Sequence, residues 1–127
     1  MSGWARNDLA RMGAAEELQL ATFKKDGTLR APVMIWVVRV GDELYVRANR
    51  GRETAWLRHV QRQPEGRIVA DGITKDVTFV DVSRDEALNN EIDAAYQSKY
   101  RRYSATYVRP MIAPQARVTT LKLVPSA

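Results

Sequence analysis

The stretch RAPVMIWVVRV, residues 30–40, constrains the fold more than any other part of the chain. Alternate side chains of an extended strand point to opposite faces. Val33, Ile35 and Val37 then share one face and Met34, Trp36 and Val38 the other, so both faces are apolar. A strand of that kind needs cover on both sides, which places it inside a barrel or beneath another layer. Gly41 and Asp42 end it in a tight turn, and ELYVRAN runs back antiparallel.

The flanking segments supply the cover. Residues 7–16 read as a short helix that Asn7 or Asp8 can cap, with Leu9 and Met12 on one face. ELQLATFKK alternates in the manner of a strand, and the DGT at 26–28 is a turn signal. Arg52–Gln63 carries Trp56, Leu57 and Val60 at helical spacing and ends at Pro64 and Gly66. Strands near 67–70 and 75–82 flank the turn-like DGIT. SRDE at 83–86 has capping-box spacing with Ser83 as the cap, ahead of a helix whose apolar face is Leu88, Ile92, Ala95, Tyr96 and Tyr100. Pro110 and Pro114 bracket a loop, and ARVTTLKLV, residues 116–124, closes the chain as a strand. The order α, three β, α, two β, α, β in 127 residues predicts a single domain of the α+β class. Its form is a small antiparallel six-stranded barrel over 17–124, with helices near 52–63 and 84–101 and an N-terminal helical segment over 1–16.

Composition narrows the function classes. With 45% apolar and 28% charged residues the chain reads as soluble and globular. No apolar run approaches the roughly 20 residues that cross a bilayer, and the N-terminus has no apolar core of a secretory signal. The absence of Cys excludes a disulfide framework and a thiolate metal site and makes the cytoplasm the default compartment. His59 is the single histidine and has no clustered partner at ligand spacing, which argues against a metal site and against a Ser-His-Asp triad. The net charge of +5, carried by 15 Arg against 5 Lys, favours an anionic partner, or else reflects a bias of composition.

Two segments carry possible chemistry. LYVRANRGRETAWLRHV, residues 44–60, gathers Arg47, Asn49, Arg50, Gly51 and Arg52 where a strand passes into a helix bearing Trp56. Guanidinium groups, glycine-freed amides and a helix start suit a phosphate; the alternative is a solvated basic turn. YQSKYRRYSATYVRP, residues 96–110, interleaves Tyr with basic residues, a pattern that can stack on nucleic-acid bases. The simpler arrangement turns Tyr96 and Tyr100 to the core and leaves Arg101 and Arg102 solvated at a helix C-terminus.

Taken in order, a Gly turn, the Pro-Val-x-x-Trp strand at 32–36, the Gly-Asp hairpin, Leu44-Tyr45-Val46, the basic turn, the Trp56 helix and Pro64-Glu65-Gly66-Arg67-Ile68 resemble the central part of the flavin-binding split barrels. That superfamily includes pyridoxamine-phosphate-oxidase-like proteins and deazaflavin-dependent nitroreductases, and the chain looks like a small branch of it. The resemblance implies a split barrel, a homodimer, and FMN or a deazaflavin bound between subunits for oxidoreductase chemistry on a small organic substrate. Carried over by position, it implies cofactor contacts from Val33, Met34, Ile35, Trp36, Arg47, Asn49, Arg50, Gly51, Arg52 and Trp56, with Tyr103 and Tyr107 on the substrate side. It assigns no catalytic residue. The competing expectations are a non-catalytic split barrel holding a small anion, or one that has lost flavin, and, ranked last, a nucleic-acid-binding protein.

Overall fold

The computed structural model describes residues 3–126. The elements are α1 (Arg6–Ala14), β1 (Leu18–Thr22), β2 (Val33–Ile35), β3 (Val38–Val40), β4 (Glu43–Val46), a 3-10 turn (Gly51–Glu53), α2 (Ala55–Arg62), β5 (Glu65–Ala70), β6 (Ile73–Asp81), α3 (Glu86–Lys99), α4 (Ala105–Ile112), α5 (Pro114–Arg117) and β7 (Leu121–Pro125). All seven strands join one antiparallel sheet in the order β2-β1-β5-β6-β7-β4-β3.

That order forces the sheet to curl. β2 and β3 lie at its two ends, yet Ile35 and Val38 are separated only by Trp36 and Val37. Three residue steps span at most about 11 Å, so the first and last strands must come together. The expected six strands become seven because the 30–40 segment is interrupted at this closing bend. The interruption has a cause outside the segment. The Val37 amide donates to Tyr100 Oη at 3.2 Å, and its carbonyl accepts from Lys99 Nζ at 2.5 Å. The peptide polar groups that would have continued a ladder are satisfied by α3 instead.

The two apolar faces of this segment find cover at Val37 and Val38, while Met34 stays exposed. Val37 belongs to the barrel core with Leu20, Leu44, Val46, Ile68, Phe79 and Leu123, closed by Leu9 and Met12 of α1 and by Trp56, Leu57 and Val60 of α2. Val38 points the other way, into a second cluster with Tyr45, Ile92, Tyr96, Tyr100, Val108 and Met111 beneath α3 and α4. The hairpins follow the turn signals. Ala70 pairs Ile73 across Asp71 and Gly72, at φ 50 and 75, the left-handed pair a two-residue turn demands. Trp4 is buried in the barrel core, its indole Nε1 donating to Leu123 O.

Several local expectations change. Neither Asn7 nor Asp8 caps α1; its N-cap is Ala5, without a side-chain hydrogen bond. Asp85, not Ser83, caps α3 by accepting from the Leu88 amide, while the Ser83 amide donates to Asp81. Pro110 lies inside α4 rather than opening a loop, and Pro114 starts α5. The closing strand begins only at Leu121, because Val118 to Thr120 still accept the geometry of the turn after α5.

Two outcomes follow from this packing. A Cβ at Gly66 would lie 2.6 Å from Ala21 O and 2.9 Å from the Phe79 ring. Gly66→Ala is therefore expected to lower unfolding free energy by roughly 1–3 kcal/mol in urea titrations. The second concerns Lys99, which no carboxylate pairs among the described residues. Burial pulls its pKa from 10.5 down to about 8, opposed by its carbonyl hydrogen bonds, which favour the charged form. The folded chain thus releases this proton before the unfolded chain does. Stability should rise as pH climbs from about 8 to about 10, where free tyrosines begin to ionise, and Lys99→Met should lack that rise in urea midpoints.

Candidate functional site

A cavity of about 240 Å³ opens where β2, the end of β4, α2 and α4 meet. Met34, Ile35 and Trp36 form one wall, Trp56 another, and Tyr107 and Met111 of α4 a third, with Arg47, Ala48 and Asn49 between them. Six of the sequence-predicted cofactor residues therefore converge on one cavity: Met34, Ile35, Trp36, Arg47, Asn49 and Trp56. Tyr107, expected on the substrate side, joins them and is 64% exposed at the rim, as Met34 is at 58%. Trp56 is both a core residue and a cavity wall.

The other expected residues take different places. Val33 packs on the barrel core. Tyr103 stands behind the wall, tilted against Trp36 at 5.1 Å between ring centroids. Gly51 is buried with its amide donating to Ala48 O, and at φ 74 it lets the turn pass Gln115, whose carbonyl would be 3.1 Å from a Cβ. Its amide is not available to an anion. Arg50 and Arg52 are exposed outside the cavity lining, and among the described residues neither guanidinium has a partner.

Arg47 lines the cavity from a buried position. Its side chain lies on the same face as Tyr45, and α3 and α4 cover that face, which leaves it 1% exposed. Its Nε donates to Thr120 Oγ1 at 2.9 Å. Nη1 donates to Asp93 Oδ1 at 2.6 Å and Met111 O at 2.9 Å, and Nη2 to Asn89 O at 3.2 Å and Oδ1 at 2.9 Å. A guanidinium has five N–H donors, and all are engaged. Arg47 forms the cavity floor without any donor to offer a phosphate. The Tyr96 ring lies under it at 5.5 Å, with burial raising the Tyr96 pKa.

Further residues complete the arrangement and were not evident from the sequence. Asp93 also pairs with Arg117, which reaches Glu86 at 3.2 Å. Thr120 Oγ1 donates to Asn89 Oδ1 at 2.7 Å, and Thr119 Oγ1 accepts from the Ala48 amide at 2.9 Å. The available signal was Asn89 and Asp93 at i,i+4, polar residues beside the apolar stripe of α3. Met111 was hidden by its neighbour Pro110. Among the described residues no group of His, Cys, Asp or Glu could hold a metal ion. The His59 Nδ1 is buried without a partner, and burial, with Arg30 and Arg62 nearby, lowers its pKa. No helix among the described residues is long and apolar enough to cross a membrane.

The network separates two kinds of arginine. Removing one partner of a buried ion pair costs about 3–5 kcal/mol. Arg47→Met should therefore lower unfolding free energy by about that much, whereas Arg50→Ala should leave the urea midpoint unchanged, since its side chain is exposed and has no polar partner among the described residues.

Comparison with known proteins places this fold. No curated protein matches the sequence. The heme storage protein HutZ from Vibrio cholerae superposes with a TM-score of 0.69 at 16% identity, covering 100% of this chain and 92% of that one. A FAD-binding protein from Mesorhizobium loti gives 0.60 at 13% identity, covering 98% and 91%. A pyridoxamine 5'-phosphate oxidase-related, FMN binding protein from Nostoc punctiforme gives 0.53 at 21% identity, covering 94% and 76%. At these identities the likeness is one of fold, and the fold is that of the pyridoxamine-phosphate-oxidase-like split barrels. Over residues 8–123 the sequence matches the model of one family, and the chain thereby belongs to the "Uncharacterized protein conserved in bacteria (DUF2255)" family.

Proposed function

We propose that the protein binds a flavin, FMN or a deazaflavin, as a homodimer and acts as an oxidoreductase on a small organic molecule. The observation that carries this reading is a cavity walled by Trp36, Trp56 and Tyr107 whose lining includes Asn49, next in sequence to a turn bearing the exposed Arg50 and Arg52, two cations without partners among the described residues. Flat aromatic walls suit an isoalloxazine or deazaisoalloxazine ring. The thioethers of Met34 and Met111 add polarizable contacts at its edge. The free guanidiniums suit a phosphate, which carries about −1.5 to −2 charge at neutral pH. The FMN- and FAD-binding proteins of the same fold support it.

The residues fit the group, with one adjustment. The cavity of about 240 Å³ lies below the roughly 300–1,000 Å³ of ligand pockets, so one chain encloses only part of a flavin. A second copy laid over the exposed Met34 and Tyr107 would complete the enclosure. A bound flavin or deazaflavin supplies the hydride chemistry itself. The chain's own residues would then do the holding: Trp36 and Trp56 would flank and orient the ring, Arg50 and Arg52 would neutralise the tail, and Met34 and Tyr107 would cover it at the mouth. The cavity wall contains no His, Asp, Glu or Lys, and its one charged residue, Arg47, is fully engaged. That absence favours, as a second reading, a module that holds the same ligand without turnover.

Titration with FMN and with a deazaflavin, followed by quenching of ligand fluorescence, tests the reading. A charge-assisted hydrogen bond is worth about 1.5–3 kcal/mol, so Arg50→Ala/Arg52→Ala should weaken Kd at least about tenfold with an unchanged Tm. Failure of the unaltered protein to take up either ligand at high micromolar concentration would refute it. Turnover with a reductant and an acceptor separates the enzyme from the binding module.

A further inference from the structure

We propose that Lys99 and Tyr100 are positioning residues of the candidate site: from the end of α3 they grip the Val37 peptide and the Trp36 ring, and so set where the Trp36 wall stands. The inference rests on the flavin reading only for its affinity readout. Neither residue lines the cavity.

Trp36 needs such a support because the sheet gives it none. The ladder of β2 with β1 ends at Ile35 opposite Leu18, and that of β3 with β4 begins at Val38 opposite Tyr45. Trp36 and Val37 fall between. A peptide that leaves a ladder within the protein must find other partners. Val37 N donates to Tyr100 Oη at 3.2 Å, and Lys99 Nζ donates to Val37 O at 2.5 Å. Tyr100 Oη has one proton to give, and Glu16 O at 2.7 Å is a nearer acceptor than Val37 O at 3.1 Å. Lys99 Nζ also donates to Ala15 O at 2.6 Å. The bend is thereby tied at once to α3 and to the segment between α1 and β1.

The same tyrosine holds the side chain. The Tyr100 ring lies parallel to the Trp36 indole, 3.8 Å between centroids and 3° between planes, while Tyr103 leans on the indole at 49°. Peptide and ring of one short segment are thus referred to two consecutive residues of one helix end. A wall residue with that little freedom presents its free surface to a ligand in one orientation, which lowers the ordering cost of binding.

Three variants separate the parts: Tyr100→Phe keeps the ring and drops the hydroxyl, Tyr100→Leu drops both, and Lys99→Met drops the ammonium. The readouts are the Kd for FMN, the Trp36 indole N–H resonance (identified with Trp36→Phe), and amide exchange at Val37 compared with Ile68 in β5. Loss of one hydrogen bond is worth about tenfold, so Tyr100→Phe should speed Val37 exchange about tenfold relative to Ile68 while leaving the Trp36 resonance near its original position. Tyr100→Leu should displace that resonance and weaken FMN binding about tenfold, and the conservative Phe should restore most of that affinity. Lys99→Met should speed Val37 exchange and weaken FMN binding with Arg50 and Arg52 intact. An unmoved Trp36 resonance with unchanged Kd in Tyr100→Leu would overturn the proposal. Should the Tyr100 variants fail to fold, unchanged Val37 exchange in Lys99→Met overturns it and faster exchange upholds it. Should the unaltered protein take up no FMN, the flavin reading falls, and Val37 exchange with the Trp36 resonance still decides the positioning role.

Discussion

A guanidinium carried into the interior at the end of β4 determines where four separate parts of the chain meet. Arg47 bonds the residue before β7, two positions of α3, and a carbonyl near the end of α4. Burying a cation costs several kcal/mol, and the cost is met only when every donor is satisfied in good geometry. That requirement makes the contact all-or-none. α3, α4 and β7 must all be docked for Arg47 to be buried at all, and α4 brings Tyr107 and Met111 to the cavity. The floor and the third wall of the site are consequences of one buried charge.

The opposite wall depends on a different economy of polar groups. A sheet can close on itself only if some strand leaves one ladder and joins another, and the peptide at the departure point loses its partners. Here the departure is at Val37, and α3 supplies the missing donor and acceptor from Lys99 and Tyr100. The same helix therefore serves both walls, through Asn89 near its start and Asp93 at its middle, and through Lys99 and Tyr100 at its end. This explains why a strand that is apolar on both faces is tolerated: Val37 enters the barrel while Val38 enters the layer under α3.

What was legible in the sequence was what neighbours in sequence decide. The Gly41-Asp42 and Asp71-Gly72 turns, the inward face of α3, and the apolar residues of β1 and α2 follow from local preference and periodicity. The convergence of Met34, Ile35, Trp36, Asn49 and Trp56 on one cavity accords instead with the positions that the resemblance to the split barrels implied. What was not legible depends on partners far along the chain. The break after Ile35 is imposed by residues 62 and 63 positions beyond Val37. Arg47 turns inward for partners 42 to 73 positions away. Strand alternation holds through Ala48, with Leu44, Val46 and Ala48 in the barrel core and Arg47 on the side of Tyr45; it could not foresee that α3 and α4 cover that side. Pro110 misled for a different reason: a proline reads as a breaker, yet packing of Val108 and Met111 against Tyr96 and Ile92 holds the short helix around it.

The two classes of arginine in this turn show why a basic run cannot be read as one site. A buried cation cannot wait for a ligand, since an unpaired charge in the interior costs more than a marginally stable domain can tolerate. Arg47 must be satisfied by the protein before any ligand arrives, and a residue so satisfied has nothing to exchange. Arg50 and Arg52 keep their hydration and can trade it for an anion reversibly, gaining charge-assisted bonds at little cost to the fold. Capacity for an anion in this turn therefore grows with exposure and falls with burial. The aromatic surfaces follow the reverse rule, because Trp36 and Trp56 hold a fixed orientation only by being packed. A ligand that needs both, a flat ring and an anionic tail, must lie across the boundary between the packed interior and the solvated turn, and that boundary is Asn49.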